Sequence, residues 1–579
     1  MPVSDSGRRV PPSHTPEAIR ARNLRRIRDN SKRGHFDFVA PSEAEKLELQ
    51  ANIDRIRCLL GGRLAKSTNY DVLVELTNLF LTKNGPDRLE ANEYPDEAPI
   101  FQATDRTQTD EKMFLATASS VNNLVARVGE HNRFCQAKLQ CQRVQMMGHA
   151  GRLHFKCDST QGIVHRFTWY SSSTLPNGKL LVNYRMLHAI TACGLREEHY
   201  ETMCNAANMG TIKKEYRKTF VSQYEPIVTC AADESREDAL LEEIASYDGD
   251  RLGSIDVMSD ARHGTRKNAK QSDIVFLGNK THKIIFKEVV TRTDDRCTQR
   301  HEMAGVRKFY EWADEKDVPV LVHAHDRNPS VNKFLREERP ETVNANDTWH
   351  VTKEIGKQVK KITGGAQKNH GKTWHAQLSD KGAAIKTHVY WCMKRSMEYQ
   401  NGRENTEGMR NEACNILRRN LLNIVKHFQN IHDDCHEQSR CRIVHPDEAY
   451  EPSHHTLTSQ CAIDILTNFL KNCIVYKQTE AYINCKDTHY VESYNNVCLL
   501  YQDKRIVFGD KKYKLRSDMA CLDWNENVDR RATSVTFRGD GRTPHRQAGR
   551  RNLSKKTHTW KKMIWERLMG LFMHETGLC

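Results

Sequence analysis

The segments Ile255-Asp-Val-Met-Ser-Asp-Ala-Arg262 and Val320-Leu-Val-His-Ala-His-Asp326 decide the fold of this chain. Each begins with apolar residues and ends at or near an acid, which is the pattern of a buried strand that stops at a sheet edge. Between them, apolar runs at residues 274–277 and 284–286 flank the turn Gly278-Asn279-Lys280 and predict a hairpin. We expect these strands to belong to one sheet.

Helical patterns alternate with the strands. Residues 298–315 carry apolar side chains along one side, and residues 331–338 form a second helical pattern that Pro340 stops. Hairpin strands, helix, strand and helix in this order favour a mixed sheet with helices on its faces, the ribonuclease H-like arrangement. In that fold the first acid lies on the first strand, and the second acid ends the strand after the first helix. Asp260 and Asp326 occupy these two positions.

A third acid, Glu492, lies in Thr488-His-Tyr-Val-Glu-Ser-Tyr494, where the spacing of apolar and aromatic residues predicts a helix beside the sheet. Together, Asp260, Asp326 and Glu492 can hold two divalent cations that activate water or a sugar hydroxyl for in-line displacement at phosphorus. Nucleases and DNA-strand-transfer enzymes use such sites. Taken singly, each acid is as well explained as a solvated surface residue, because the chain has 74 acidic residues.

The interval between Asp326 and Glu492 is far longer than a strand–helix connection requires, so it predicts an inserted domain. We place this domain at residues 366–480, and the helical periodicity of residues 406–432 indicates that it is helical. The predicted fold class is therefore multidomain α/β plus α. A ribonuclease H-like mixed sheet, formed by residues 249–365 and 481–530, carries the helical insertion.

Composition narrows the classes of partner and compartment. The formal net charge of +15 favours a polyanionic partner, because Lys and Arg that displace counterions from phosphates bind nucleic acid in a sequence-independent way. The first residues show no secretion signal, and no apolar run is long enough to span a bilayer. The 18 cysteines are then better explained as reduced thiols and metal ligands than as disulfides. These features predict a nuclear or cytosolic DNA-binding protein without membrane association.

Two clusters of cysteine and histidine have ligand chemistry suited to Zn²⁺. The first comprises Cys135, Cys141, Cys157 and His165, with a predicted hairpin between its halves, and defines a zinc-binding module at residues 131–170. The second lies at the end of the helical insertion and comprises His427, His432, Cys441 and His445. The alternative explanations are buried free cysteines for the first cluster and ordinary surface residues for the second.

The flanking regions are basic, helical or linker-like. Residues 1–46 form a basic arm, residues 47–83 a helical hairpin that is either ordinary or helix-loop-helix-like, and residues 84–130 a linker. Residues 171–248 are predicted to be a helical domain whose last part, residues 231–248, is an acidic joint. Residues 531–579 form a basic tail. Both basic ends are suited to contact with DNA phosphates.

Several motifs occur in the order found in the eukaryotic cut-and-paste DDE transposases, which the chain resembles from about Cys135 to Leu568. The motifs are Gly178-Lys-Leu-Leu181, Ser259-Asp-Ala-Arg262, His325-Asp-Arg327, Asn346-Asp-Thr-Trp-His-Val351, His388-Val-Tyr-Trp-Cys392, His427-Phe-Gln-Asn-Ile-His432, Thr488-His-Tyr-Val-Glu-Ser-Tyr494 and Trp524-Asn-Glu-Asn527. Asp347 is a further candidate ligand, and His350 is a candidate to orient a phosphate or a ligand. The alternative for this Trp-His pair is an ordinary packed helix start.

The resemblance implies a nuclear DNA transposase that excises and integrates a mobile element. Asp260, Asp326 and Glu492 would be its catalytic triad and would hold Mg²⁺ or Mn²⁺. Its partners would be double-stranded DNA, both transposon ends and target, and further copies of the chain in a homodimer or higher homo-oligomer. Two alternatives remain open from the sequence: a host-recruited DNA-binding regulator without catalysis, and a metal-dependent nuclease that cuts without joining.

Overall fold

The computed structural model describes residues 111–159, 164–265, 268–403, 406–439, 441, 455–536 and 550–575. The predicted basic arm and helical hairpin, together with most of the predicted linker, lie outside the described residues. Among the helices that are described, none combines the length and the apolar character that crossing a membrane requires.

The described part begins with a helix and a small antiparallel sheet. Helix α1 (Ala118–Phe134) lies partly in the range predicted as a linker, and Thr117 caps it by accepting a hydrogen bond from the Ser120 backbone N–H. The sheet has the order β1-β2-β3, and its first two strands form the expected hairpin with a tight turn at Gly148, where φ is +68°. Its strands are β1 (Leu139–Met147), β2 (Ala150–Cys157) and β3 (Arg166–Tyr170).

Three helices follow: α2 (Leu181–Ala192), α3 (Glu197–Ala206) and α4 (Lys214–Ala245). Here the structure differs from the sequence prediction, because α4 continues through most of the predicted acidic joint. Apart from the buried Glu243, the acidic residues of this segment lie on the exposed side of α4, while Ala231, Ala232, Ala239 and Leu240 are buried at helical spacing. Packing of this apolar stripe stabilises the helix despite its charge.

A five-stranded mixed sheet lies at the centre of the described part of the chain. The strand order is β6-β5-β4-β7-β8, in which β6, β5 and β4 are antiparallel neighbours and β4, β7 and β8 are parallel. Helices α5 (His301–Glu315) and α6 (Pro329–Glu338) provide the crossovers between the parallel strands. The strands are β4 (Ile255–His263), β5 (Gln271–Gly278), β6 (Ile284–Thr291), β7 (Val320–His325) and β8 (Val343–Asn346).

The central sheet has a hydrophobic core on each face. Alternate residues of β5 divide between the two: Ile274 and Phe276 pack with α5 and α6, whereas Val275 and Leu277 pack in the other cluster. Burial on both faces explains why this strand reads as a continuous apolar run rather than an alternating one. The mixed α/β architecture predicted from the sequence is confirmed.

The long interval after β8 contains a helical bundle with a hydrophobic core of its own. Its first helix begins at the edge of the central sheet, so the bundle adjoins that edge directly. The helices are α7 (Thr348–Thr363), α8 (Gly382–Gln400), α9 (Glu407–Phe428), α10 (Gln460–Asn472) and α11 (Ile474–Lys477).

The chain then returns to the sheet. Helices α12 (His489–Tyr501) and α13 (Asp510–Asn527) pack on the face opposite α5, and a short hairpin, β9 (Ala532–Thr536) and β10 (Arg550–Leu553), follows. Helix α14 (Thr559–Glu575) joins the same core through Ile564 and Leu568. The range predicted as a basic tail therefore contains a buried helix.

Candidate active site and metal centres

Strand register brings three acids to one edge of the central sheet. Parallel β4 and β7 pair Ser259 with His325, so the next residues along the two strands are Asp260 and Asp326. Parallel β7 and β8 pair His325 with Asn346, and the next residue along β8 is Asp347. Parallel strands end at a common edge, which is where α/β sheets bind ligands.

Asp260 is held by two hydrogen bonds from its neighbours. The Ala261 backbone N–H donates to Asp260 Oδ1 at 2.8 Å, and Asn495 Nδ2 on α12 donates to Asp260 Oδ2 at 2.7 Å. Burial, together with the negative charges of Asp326 and Glu302, raises the pKa of Asp260 to about 8. Both causes disfavour the ionised form of Asp260 when no cation is bound.

His350 connects the remaining acids. Its Nδ1 lies 3.1 Å from Asp326 Oδ1 and 3.4 Å from Asp347 Oδ1, and its Nε2 lies 3.3 Å from Glu492 Oε1. Burial raises the pKa of Asp326, as do Asp347 and Glu492, whereas His350 lowers it. The imidazole therefore lies within 3.4 Å of an oxygen of each of these three acids.

Asp347 differs from the other acids because both of its oxygens accept backbone hydrogen bonds. Oδ1 accepts from the His350 N–H at 2.6 Å and thereby caps α7, and Oδ2 accepts from the Thr488 N–H at 2.7 Å. Only 2% of its side chain is exposed, against 42% for Asp326 and 38% for Glu492. These contacts position α7 and the start of α12. Asp347 also remains a candidate ligand, because its ligand atom and those of Asp326 and His350 all lie within 4.8 Å of one another.

Helix α12, which carries Glu492, is fixed along its whole length. Thr488 at its start bonds to Asp347, and Asn495 in its middle bonds to Asp260. After its end, Gln502 accepts two hydrogen bonds from the buried guanidinium of Arg262, to Oε1 at 2.7 Å and to the backbone oxygen at 2.6 Å. These contacts bring Glu492, more than 160 residues after Asp326 in the sequence, to the same edge.

Glu302 is an acid that the sequence interpretation missed. It lies in the first turn of α5 and contributes to the raised pKa of Asp260, while Asn328 Nδ2 donates to Glu302 Oε2 at 2.7 Å. Burial raises its own pKa, and the charge of Asp326 adds to this effect. In the sequence, Glu302 is recognisable only as an acid at the start of the helix that follows the hairpin, whereas Asp260 and Asp326 lie at the ends of apolar strand patterns.

The residues at this edge fit a divalent cation. Carboxylate oxygens, such as those of Asp260, Asp326 and Glu492, are the donors that Mg²⁺ and Mn²⁺ prefer. His350 Nδ1 is buried and, among the described residues, has no hydrogen-bond partner of good geometry despite its close approach to Asp326. A cation bound here would compensate the negative charge that raises the pKa of both aspartates.

A first cysteine–histidine group joins α1 to the small sheet. Its members are His131, Cys135, Cys157 and His165, whose ligand atoms all lie within 4.8 Å of one another. Cys141, which the sequence interpretation included, is exposed on β1 and lies outside this group. His131, in the last turn of α1, was missed because the sequence pattern does not show that this turn approaches the small sheet, whereas Cys135 directly follows the helix in an extended conformation.

The surroundings of Cys157 favour the thiolate form of its side chain. A hydrogen bond from the Ser159 backbone, assisted by His131 and His165, lowers the pKa of Cys157 to about 6. The thiolate is the form of cysteine that binds metal.

A second group lies where α9 ends. It comprises His427, His432, Cys435 and Cys441, again with all ligand atoms within 4.8 Å of one another. Cys435 Sγ lies 3.5 Å from His427 Nδ1, and Cys441 Sγ lies 3.3 Å from His432 Nδ1. Three of the four predicted ligands are thus brought together with Cys435, and the fourth, His445, lies outside the described residues.

Comparison with protein-family models assigns the chain to a known family. The family model described as Mutator-like transposase matches residues 112–441, more than half of the chain. Asp260 and Asp326 lie inside the matched segment, and Glu492 lies after it. No curated protein matches the chain.

Proposed function

Since the chain belongs to the Mutator-like transposase family, we propose that it is a DDE-type DNA transposase with a ribonuclease H-like catalytic core. Asp260, Asp326 and Glu492 would hold Mg²⁺ or Mn²⁺ and would catalyse excision and integration of a mobile element. Family membership implies DNA binding. The proposal adds double-stranded transposon ends and target DNA as substrates, a homodimer or higher homo-oligomer as the working form, and the nucleus as the compartment.

One observation carries the proposal: register and the contacts of α12 bring the three acids to a single edge, where Asn495 contacts Asp260 and His350 contacts Glu492. In the first step, water attacks the phosphorus at a transposon end and the bond to the 3′ oxygen breaks, leaving a free 3′-hydroxyl. That hydroxyl then attacks a target phosphodiester and displaces its 3′ oxygen. Bound divalent cations would activate each nucleophile and stabilise each leaving oxygen.

This chain's own residues would organise the site. Asn495 fixes the Asp260 carboxylate, and Asp347 joins the starts of α7 and α12. His350, between Asp326 and Glu492, is suited to orient a phosphate oxygen by donating a hydrogen bond when protonated.

A cleavage and joining assay tests the proposal. The substrate is a linear duplex that carries the genomic sequence flanking the coding region on both sides, incubated with the full chain in Mg²⁺ or in chelator. We expect cation-dependent cleavage at inverted repeats, followed by joining of the freed ends to a second duplex. Binding without cleavage would instead establish the regulator, and cleavage without joining would establish the nuclease.

Glu492→Gln is expected to lower cleavage by several orders of magnitude, because the amide keeps the shape of the side chain but loses the charge that holds a cation. DNA binding and thermal stability should stay within error of the parent protein. Glu480→Gln, in the turn before α12, is the control and should cleave normally. Cleavage by Glu492→Gln at the parent rate would remove Glu492 from the triad.

We also propose that both cysteine–histidine groups bind Zn²⁺, each as a closed four-ligand shell. For the second group, Cys435→Ser is expected to release about one zinc equivalent per chain, measured by elemental analysis of the purified protein. Cys461→Ser, at an exposed cysteine of α10, should release none. Loss of zinc from His445→Ala, with full retention in Cys435→Ser, would favour the ligand set predicted from the sequence.

A further inference from the structure

A small pocket opens beside Glu492, between the starts of α7 and α12 and the side of α8. Its volume is about 190 Å³, and its lining residues are Asp347, Thr348, Trp349, Tyr390, Asp487, His489 and Glu492. Two of these are large aromatic residues exposed to solvent, Trp349 at 48% and Tyr390 at 43%. Single exposed apolar residues need no explanation. Here, however, two aromatics from different helices border one pocket that also contains a candidate catalytic acid.

The Trp349 ring is held in a defined position. It packs edge to face against the His350 ring, with centroids 4.9 Å apart, and the ammonium of Lys353 lies 4.5 Å from its centroid. Because His350 contacts Asp326 and Glu492, the indole is fixed relative to the acids.

The charges around the pocket distinguish between the parts of a nucleotide. Asp487 and Glu492 would repel a phosphate group, whereas their oxygens can accept hydrogen bonds from the amino groups of a base. Lys353, one helical turn from Trp349, is exposed and can contact the phosphate that precedes or follows such a base. The pocket thus suits a flat, neutral, amino-bearing ring with its phosphate outside.

We propose that this pocket receives an unstacked nucleobase of the DNA strand, next to the phosphodiester that is cut. The inference rests on the proposed function and adds a binding subsite to it. Enzymes that act on recessed positions of a duplex often extrude a nucleotide, and aromatic side chains compensate for the lost stacking. Stacking on Trp349 would hold the distorted strand with its phosphate at the acids.

A double-mutant cycle between protein and DNA tests this inference. Trp349→Ala is expected to cleave an intact duplex about 10- to 100-fold more slowly than the parent, the range that loss of one base–aromatic stack implies. Trp349→Phe should retain most of the rate, and Tyr216→Ala, at an exposed aromatic of α4 outside the pocket, should retain all of it. A second set of duplexes each lacks one base beside the cut. On the duplex that lacks the base proposed to stack on Trp349, the parent and Trp349→Ala should cleave at the same rate, because neither protein can then form the stack.

The outcomes distinguish failure of the proposed function from failure of the base-binding subsite. If the parent does not cleave, the proposed function and the subsite both fail. If the parent cleaves and Trp349→Ala matches it on the intact duplex, only the subsite fails. A defect of Trp349→Ala that persists undiminished on every abasic duplex would also overturn the subsite, because the indole would then act without a base. Equal melting temperatures of the variants would exclude misfolding as the cause.

Discussion

Asp260→Asn and Asp326→Asn are each expected to lower strand cleavage by several orders of magnitude while leaving DNA binding intact. The two carboxylates follow paired residues on neighbouring parallel strands, and burial, together with the charge of Asp326, raises the pKa of Asp260. Replacement by Asn preserves volume but removes the charge on which cation binding depends. Cleavage in Mg²⁺ and binding in chelator, measured on the same duplex, would separate the two effects.

Asp317→Asn provides the matched control for these variants. Asp317 is exposed after α5 and has a φ of +54°, a conformation that asparagine also adopts readily. Its cleavage rate should equal that of the parent. Burial and the nearby acids raise the pKa of Asp260 and so disfavour its carboxylate in the folded chain without a cation, and this cost grows as the pH rises above the ordinary carboxyl pKa. In chelator at neutral pH, Asp260→Asn should therefore melt at the same temperature as the parent or higher. Undiminished cleavage by either aspartate variant would show that the residue does not bind the cation.

Cys157→Ser is expected to release about one zinc equivalent and to unfold the small sheet with α1. The proposed ligands come from α1, from the end of β2 and from the start of β3, so one ion would join three elements. Structural zinc contributes roughly 10 to 16 kcal/mol of apparent binding free energy in zinc-finger peptides. That amount is comparable to the whole stability of a small domain.

Cys141→Ser is the control, and it also tests the structure against the sequence interpretation. Cys141 is exposed on β1, so its replacement should leave the zinc content and the melting temperature unchanged. His131→Ala should behave like Cys157→Ser. If Cys141→Ser loses zinc and His131→Ala retains it, the ligand set seen in the structure is incorrect.

Most of the strands and helices that lead to the candidate acids are predicted from local sequence patterns. The sequence predicts the strands before Asp260 and Asp326, and both strands form, since apolar runs of this length bury themselves in a sheet. It predicts the helix that carries Glu492, and α12 forms there. It does not predict β8, whose four residues have little strand pattern of their own and form a strand by pairing with β7.

Two residues of the candidate sites, His131 and Glu302, were not predicted from the sequence. The sequence interpretation grouped Cys141 with Cys135, Cys157 and His165, whereas the structure brings His131, in the last turn of α1, into this group instead. Glu302 escaped notice because its role depends on the approach of α5 to the sheet edge. Both cases depend on where a helix lies, which local patterns do not encode.

The sequence by itself determined the strands that lead to Asp260 and Asp326, the helix that carries Glu492, the basic character of the chain and these three candidate acids. These properties follow from local periodicity, charge and turn chemistry, each of which extends over a few residues. Only the tertiary structure decided that Asp260, Asp326 and Glu492 meet at one edge. Strand register brings the two aspartates together, and the contacts of α12 with Asp347, Asp260 and Arg262 bring in Glu492. These contacts of α12 join residues more than a hundred positions apart, so they depend on the tertiary fold and not on local sequence patterns.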